Sequence, residues 1–323
     1  MAEQTTEAAL AAAMLREMAR DETVVVLGRA GGHGLFRVSG GAAERFGPDR
    51  AWNVPGSGVG LAGIAIGAAL TGLRPVVELG TAEQAAPALS QIADHAAKLH
   101  FRSGGRLQLP LVFIITTGMT RSGPLRSQSL EAWFAHLPGL KVVMPATPAD
   151  AAGLLRSAVR DDDPVVFVLD KRVARHAGET PDDEHAVPLG RAAVRRAGHD
   201  VTIVASGWMV HEALAAADDL AAARLSAEVI DVRSLVPLDL GTIVASVRKT
   251  GRLVVAHEAV VFAGIGAEIV ASVVEAAPGA LTARPRRVGL PFVVPPADVP
   301  SIALVLPSRR DIAGAALAVV HGR

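Results

Sequence analysis

At 323 residues, half of them hydrophobic, the chain is long enough to bury the cores of two α/β domains and is neither disordered nor fibrous. Lysine plus arginine and aspartate plus glutamate both number 32, so no net field draws the surface toward nucleic acid or an anionic membrane. Cysteine is absent, which excludes a disulfide framework, a thiolate nucleophile and cysteine-ligated zinc or iron–sulfur centres.

The acidic opening Met1-Ala2-Glu3-Gln4 lacks the basic start and apolar core of a signal peptide, and a cytoplasmic location is expected. Apolar runs such as Leu61 to Leu70 are broken by glycine and fall short of the ~20 residues a bilayer crossing needs. Strand-like runs then alternate with helical stretches: strand Thr23 to Leu27, helix Gly60 to Leu70, strand Pro75 to Leu79, helix Pro87 to Leu99, strand Leu109 to Thr116. Strand Val142 to Met144, helix Pro148 to Val159 and strand Pro164 to Leu169 follow. Continuous apolar runs imply strands covered on both faces, hence a doubly wound α/β domain with a mostly parallel sheet.

Composition turns polar and acidic through Gly178-Glu179-Thr180-Pro181-Asp182-Asp183-Glu184, which marks a linker. A second, smaller α/β unit follows, with strands Val201 to Ala205, Ser226 to Val232, Arg252 to Ala256 and Arg286 to Gly289. Its helices are expected from Met209 to Ala223 and from Ile265 to Glu275. The expected domains are 1–175 and 191–323, joined by 176–190.

Several stretches in register carry a resemblance: Leu35-Phe36-Arg37-Val38, Phe46-Gly47-Pro48-Asp49-Arg50, His95-Ala96-Ala97-Lys98, Ser127-Gln128-Ser129 and Pro138-Gly139-Leu140-Lys141. Arg160-Asp161-Asp162-Asp163-Pro164, Asp231-Val232-Arg233-Ser234-Leu235-Val236-Pro237-Leu238-Asp239 and His257-Glu258-Ala259 continue it. Together they resemble the beta subunit of the thiamine-diphosphate-dependent decarboxylase component of 2-oxo acid dehydrogenase complexes and, more distantly, the matching half of transketolase. The resemblance implies a pyrimidine-binding domain followed by a transketolase C-terminal-like domain. It also implies thiamine diphosphate with magnesium, held in the family by a Gly-Asp-Gly motif and a downstream Asn. This chain contains no Gly-Asp-Gly. The diphosphate half is therefore expected from an alpha-type partner, in a heterotetramer of two alpha and two beta chains, with a lipoyl-bearing acyltransferase or carrier as a further partner.

The resemblance also places the chemistry, and there the chain departs from the pattern. The family glutamate that hydrogen-bonds the aminopyrimidine ring, anchored on Pro55, Gly60 and Gly63, maps to Gly58. Glycine has no group to share a proton, and such acid–base steps are worth roughly 10²–10⁴ in rate. The family histidine ahead of Ser-Gln-Ser falls at Leu125 and Arg126. An arginine holds an anion bidentately but does not act as an acid or base near neutrality; the plain alternative is a solvated loop arginine. Acidic residues after the first strand are replaced by Arg29-Ala30, and the segment Gly80-Thr81-Ala82-Glu83-Gln84-Ala85-Ala86 has lost its aromatics. Gly58, Gly60, Thr81 and Gln84 would line the ring end of the cofactor. His33 is the one histidine considered as a replacement acid–base group, while His95 and His136 are expected to be packing residues and His257-Glu258 a structural pair.

A family alkali-metal site, built mainly from backbone carbonyls and suited to potassium, maps to Leu111, Ala158, Asp161 and Asp163, where a capped solvent loop is the alternative. Gly58-Val59-Gly60-Leu61-Ala62-Gly63 also fits Gly-x-Gly-x-x-Gly, with Glu78 placed as a ribose-binding acid would be. Asn53-Val54-Pro55-Gly56 reads as a turn, not as the strand a dinucleotide fold needs. Three readings remain: an atypical beta-type enzyme subunit cleaving a bond next to a carbonyl of a 2-oxo acid or ketose, a non-catalytic interaction subunit, and a self-sufficient dehydrogenase using NAD.

Overall fold

The computed structural model describes residues 2–28, 38–54, 56–181 and 185–322. Two compact units emerge: Met1–Thr117 with Trp133–Leu189, and Gly118–Ala132 with Gly190–Arg323. The expected linker is not featureless. Ala177–Thr180 forms a strand because its backbone pairs antiparallel with Ala2–Thr5, Ala2 facing Thr180.

The first unit runs β1 (Ala2–Thr5), α1 (Thr6–Arg20), β2 (Val24–Gly28), α2 (Ala42–Phe46), β3 (Ala51–Asn53), α3 (Gly58–Leu70), β4 (Arg74–Thr81) and α4 (Ala82–Ala85). A π-helical turn (Gln91–Ala96) leads into α5 (Ala97–Arg102), so the helix expected over 87–99 is interrupted and shifted. Then come β5 (Val112–Thr117), α6 (Gly123–Arg126), α7 (Glu131–Ala135), β6 (Lys141–Val143), α8 (Pro148–Arg160), β7 (Val165–Asp170), α9 (Lys171–Arg175) and β8 (Ala177–Thr180); α6 falls within the segment assigned to the second unit. Every residue of β5 and β7 is buried, as parallel strands sandwiched between helices require. Within this unit the strand order is β6-β7-β5-β4-β2-β3, all parallel. A three-residue strand thus leads toward Gly58 after all: β3 is fixed by pairing with β2, not by its own apolar content.

Caps set the helix starts. Thr147 accepts from the Asp150 amide with Pro148 following it, and Ser57 accepts from the Gly60 amide at 3.2 Å. α1 packs on α8, where Arg160 clasps the buried Glu17 carboxylate at 2.6 and 2.9 Å.

The second unit contains β9 (Ala193–Arg196), β10 (Val201–Ala205), α10 (Met209–Ala222), β11 (Ala227–Asp231), β12 (Ser234–Val236), α11 (Leu240–Thr250), β13 (Leu253–Val260), α12 (Ile265–Ala276), β14 (Arg286–Leu290), α13 (Val299–Val305) and α14 (Arg309–Val320). Its five-stranded sheet has the order β14-β13-β10-β11-β9, antiparallel only at β9. No described helix is long and apolar enough to cross a membrane.

Candidate functional site

In the first unit the chain leaves β2 for β3 on one side, then returns to lay β4 on the other. The carboxyl ends of β2 and β4 therefore flank the point where strand order reverses, which in open α/β sheets is where ligands bind. Gly28 ends β2, pairs with Asn53 and accepts a hydrogen bond from the Val54 amide at 3.0 Å. Beside it, a Cβ on Gly28 would lie 3.7 Å from a carboxylate oxygen of Glu78. Glu78 accepts from the Ser39 amide at 2.6 Å, and withdrawal from water, opposed by Ser39, pushes its carboxyl up to about 7. Sequence pattern offered Glu78 only as a ribose acid; its telling signal is a lone charge inside the apolar run Pro75 to Leu79.

The structure brings Gly58 and Gln84 together. Gly58 opens α3, and an added Cβ would sit 2.0 Å from the Gln84 carbonyl oxygen and 3.6 Å from the Ala88 methyl. Gly80, at the β4 bulge with φ +81°, has the Gln84 side chain in the same relation: its added Cβ would lie 1.9 Å from Oε1. Along the direction a side chain would leave Gly58, space is therefore missing. Gly60 offers no free donor at the helix start, because its amide is taken by Ser57 Oγ. Thr81 is buried and its hydroxyl donates to Glu83. Leu125 and Arg126 lie on α6 in the segment assigned to the second unit, both exposed, with Leu125 65% exposed and its carbonyl accepting from Gln128 Nε2 at 3.2 Å. His33, Arg29 and Pro55 lie outside the described residues.

The residues of the expected alkali-metal site do share one neighbourhood of the first unit. The Leu111 carbonyl accepts from Val165, the Ala158 carbonyl from Asp161, and the Asp161 carbonyl from Arg74 Nη1 at 3.0 Å. Positive charge comes from Lys141 Nζ, 2.7 Å from Asp161 Oδ1 and 3.1 Å from Asp163 Oδ2, and from Arg74. Among the described residues, no group of three or more His, Asp or Glu side chains is disposed to hold a metal ion.

In the second unit, His257 on β13 is 1% exposed and walled by three glycines. Added Cβ atoms at Gly264, Gly266 and Gly289 would lie 2.6, 2.8 and 3.1 Å from its ring. Burial, opposed by the Ala259 backbone, pushes the imidazole down to about 4. Neighbouring Glu258 accepts from the Met119 amide. His95 and His136, by contrast, are exposed in the single chain and do not pack.

This two-unit arrangement of parallel sheets is that of the transketolase superfamily. Residues 2–176 match the family model "Transketolase, pyrimidine binding domain" and residues 190–312 match "Transketolase, C-terminal domain". A split-gene transketolase, described as an inactive beta4 tetramer, superposes with a TM-score of 0.81 at 26% identity, covering 98% of each chain. The pyruvate dehydrogenase E1 component subunit beta of Bacillus subtilis is 40% identical over 316 residues, 97% of each chain. The 2-oxoisovalerate dehydrogenase subunit beta of the same organism is 42% identical over 267 residues, 81% of this chain and 82% of the relative. The chain belongs to the family of E1 beta subunits of 2-oxo acid dehydrogenases. NAD binding has no support in these likenesses.

The residues present do not fit the acid–base half of thiamine diphosphate chemistry: position 58 has no side chain, and Gln84 fills the space a side chain would need. The ring-binding half is implied by the match of residues 2–176 to the pyrimidine-binding domain family.

Proposed function

We propose that the chain is the beta-type subunit of a thiamine-diphosphate-dependent enzyme acting on a 2-oxo acid or ketose. It presents the ring end of the cofactor site at the carboxyl ends of β2 and β4. An alpha-type partner carrying Gly-Asp-Gly holds magnesium and the diphosphate, in a heterotetramer of two alpha and two beta chains, and a lipoyl-bearing carrier receives the fragment. One observation carries the reading: both beta-subunit domains are matched over nearly the whole length while the diphosphate motif is missing from the sequence. Arg126 supplies a permanent cation suited to a carboxylate or phosphate. A structural alkali-metal ion at Leu111, Ala158, Asp161 and Asp163 would have to share oxygens that Lys141 and Arg74 already engage; a fall in melting temperature on exchange of potassium for tetramethylammonium is the outcome that would support it.

The test is co-expression with an alpha-type chain bearing Gly-Asp-Gly and a downstream Asn, followed by light scattering and calorimetric titration with thiamine diphosphate and magnesium. A four-chain particle that binds the cofactor, where the lone chain binds none, is expected. Absence of complex formation, or equal binding by the lone chain, would overturn the proposal.

A second reading, that the subunit keeps the fold and interface without the chemistry, is favoured by the Gly58–Gln84 packing. It predicts assembly with the partner, but exchange of the thiazolium proton no faster than in free cofactor.

A further inference from the structure

We propose that Gln84 is a built-in plug. It closes the spot beside Gly58, so the missing carboxylate is a feature of the chain's packing that no single substitution at position 58 reverses. The inference rests on the preceding reading of this crevice as the ring-end site.

Two different groups of one residue reach two glycines. The main-chain carbonyl of Gln84 lies over Gly58 and its carboxamide lies over Gly80, each nearer to an added Cβ than non-bonded atoms approach. The carbonyl belongs to α4, which packs against β4 and β5; Ala85 at its end and Ala88 just beyond are fully buried. Backbone anchored in this way does not swing aside as a long side chain would. On the other flank, Gly58 is held by the first turn of α3, where Ser57 caps Gly60. A glutamate at position 58 would have to displace α4 or unwind that turn. At this spot the chain presents a peptide carbonyl, a neutral acceptor with no proton to exchange. Gly80 makes the fit possible, since its φ of +81° is backbone that only glycine adopts readily.

The test separates packing from chemistry. Ordinary helix preference favours alanine over glycine within α3. Against that preference, Gly58→Ala is expected to lower the melting temperature of the full chain by about 4 °C or more. Gly67→Ala on the same helix, where an added Cβ meets nothing within 4 Å, is expected to hold or raise it. In the complex reconstituted with the alpha-type partner, Gly58→Glu is expected to leave thiazolium-proton exchange, followed by NMR, at the wild-type rate. Melting of Gly58→Ala at or above wild type would overturn the inference, as would accelerated exchange in a Gly58→Glu complex of any stability. Should Gly58→Glu fail to fold, the two alanine variants still decide. A wild-type complex that binds no thiamine diphosphate would sink the functional reading alone, leaving the melting comparison to judge the plug.

Discussion

His257 is the residue whose protonation the fold opposes most clearly. In the unfolded chain it takes a proton below about pH 6.5, whereas in the folded chain burial delays this to about 4. Between those values the unfolded state binds more protons, so stability falls as pH drops through the window, by up to about 3 kcal/mol. Denaturant titrations from pH 7 to 4 are expected to show this slope, and His257→Leu is expected to flatten it. Glu78 has the opposite sign. Its folded carboxyl keeps a proton up to about 7 while the unfolded one releases it near 4.5, so stability is lost as pH rises across that interval. Glu78→Gln should be the more stable form at pH 8 and lose its advantage below pH 4.5, measured in the same titrations. Neither shift was legible in the sequence, since each is set mainly by burial, which depends on how the chain packs around the group. Gly58 was legible as a departure, but the Gln84 carbonyl against it was not, because no residue pattern records a backbone atom brought in by the next helix.

Elements with a continuous apolar run were legible almost to the residue. Val201–Ala205 matches its expected bounds and β7 is shifted by one residue at each end, because burial on both faces leaves no choice of residue type; helix α8, set by its Thr147 cap and Pro148, runs one residue longer than expected. Elements that owe their state to a neighbour were not: β1 and β8 exist through each other, β3 through β2, and the π-helical turn interrupts a helix whose apolar spacing shows no break. Helix α11 was also missed, although it carries a strong start signal. Asp239 accepts from the Thr242 amide and hydroxyl at 3.1 and 2.8 Å, and from the Ala192 amide at 3.0 Å. Asp239→Ala is therefore expected to cost about 2 kcal/mol, at the upper end for a lost cap, and Asp239→Asn about half of that, both read from chemical denaturation.

At the scale of the whole molecule, the family was legible because motifs recur in order along nearly the full chain. If the cofactor is shared with a partner, thiamine diphosphate with magnesium should not raise the melting temperature of the lone chain. At a hundredfold excess over Kd it should stabilise the assembled complex by about 2.7 kcal/mol, measured by scanning calorimetry. The division itself is interleaved: Gly118–Ala132 clusters with the second unit although it is flanked on both sides by segments of the first. Gene dissection therefore has no clean cut site. A fragment ending at Leu189 would keep residues 118–132 but lose Glu258, which receives the Met119 amide, and the complementary fragment would lack the stretch that amide belongs to. Chimeras between relatives of this chain call for crossovers at three junctions, after Thr117, Ala132 and Leu189.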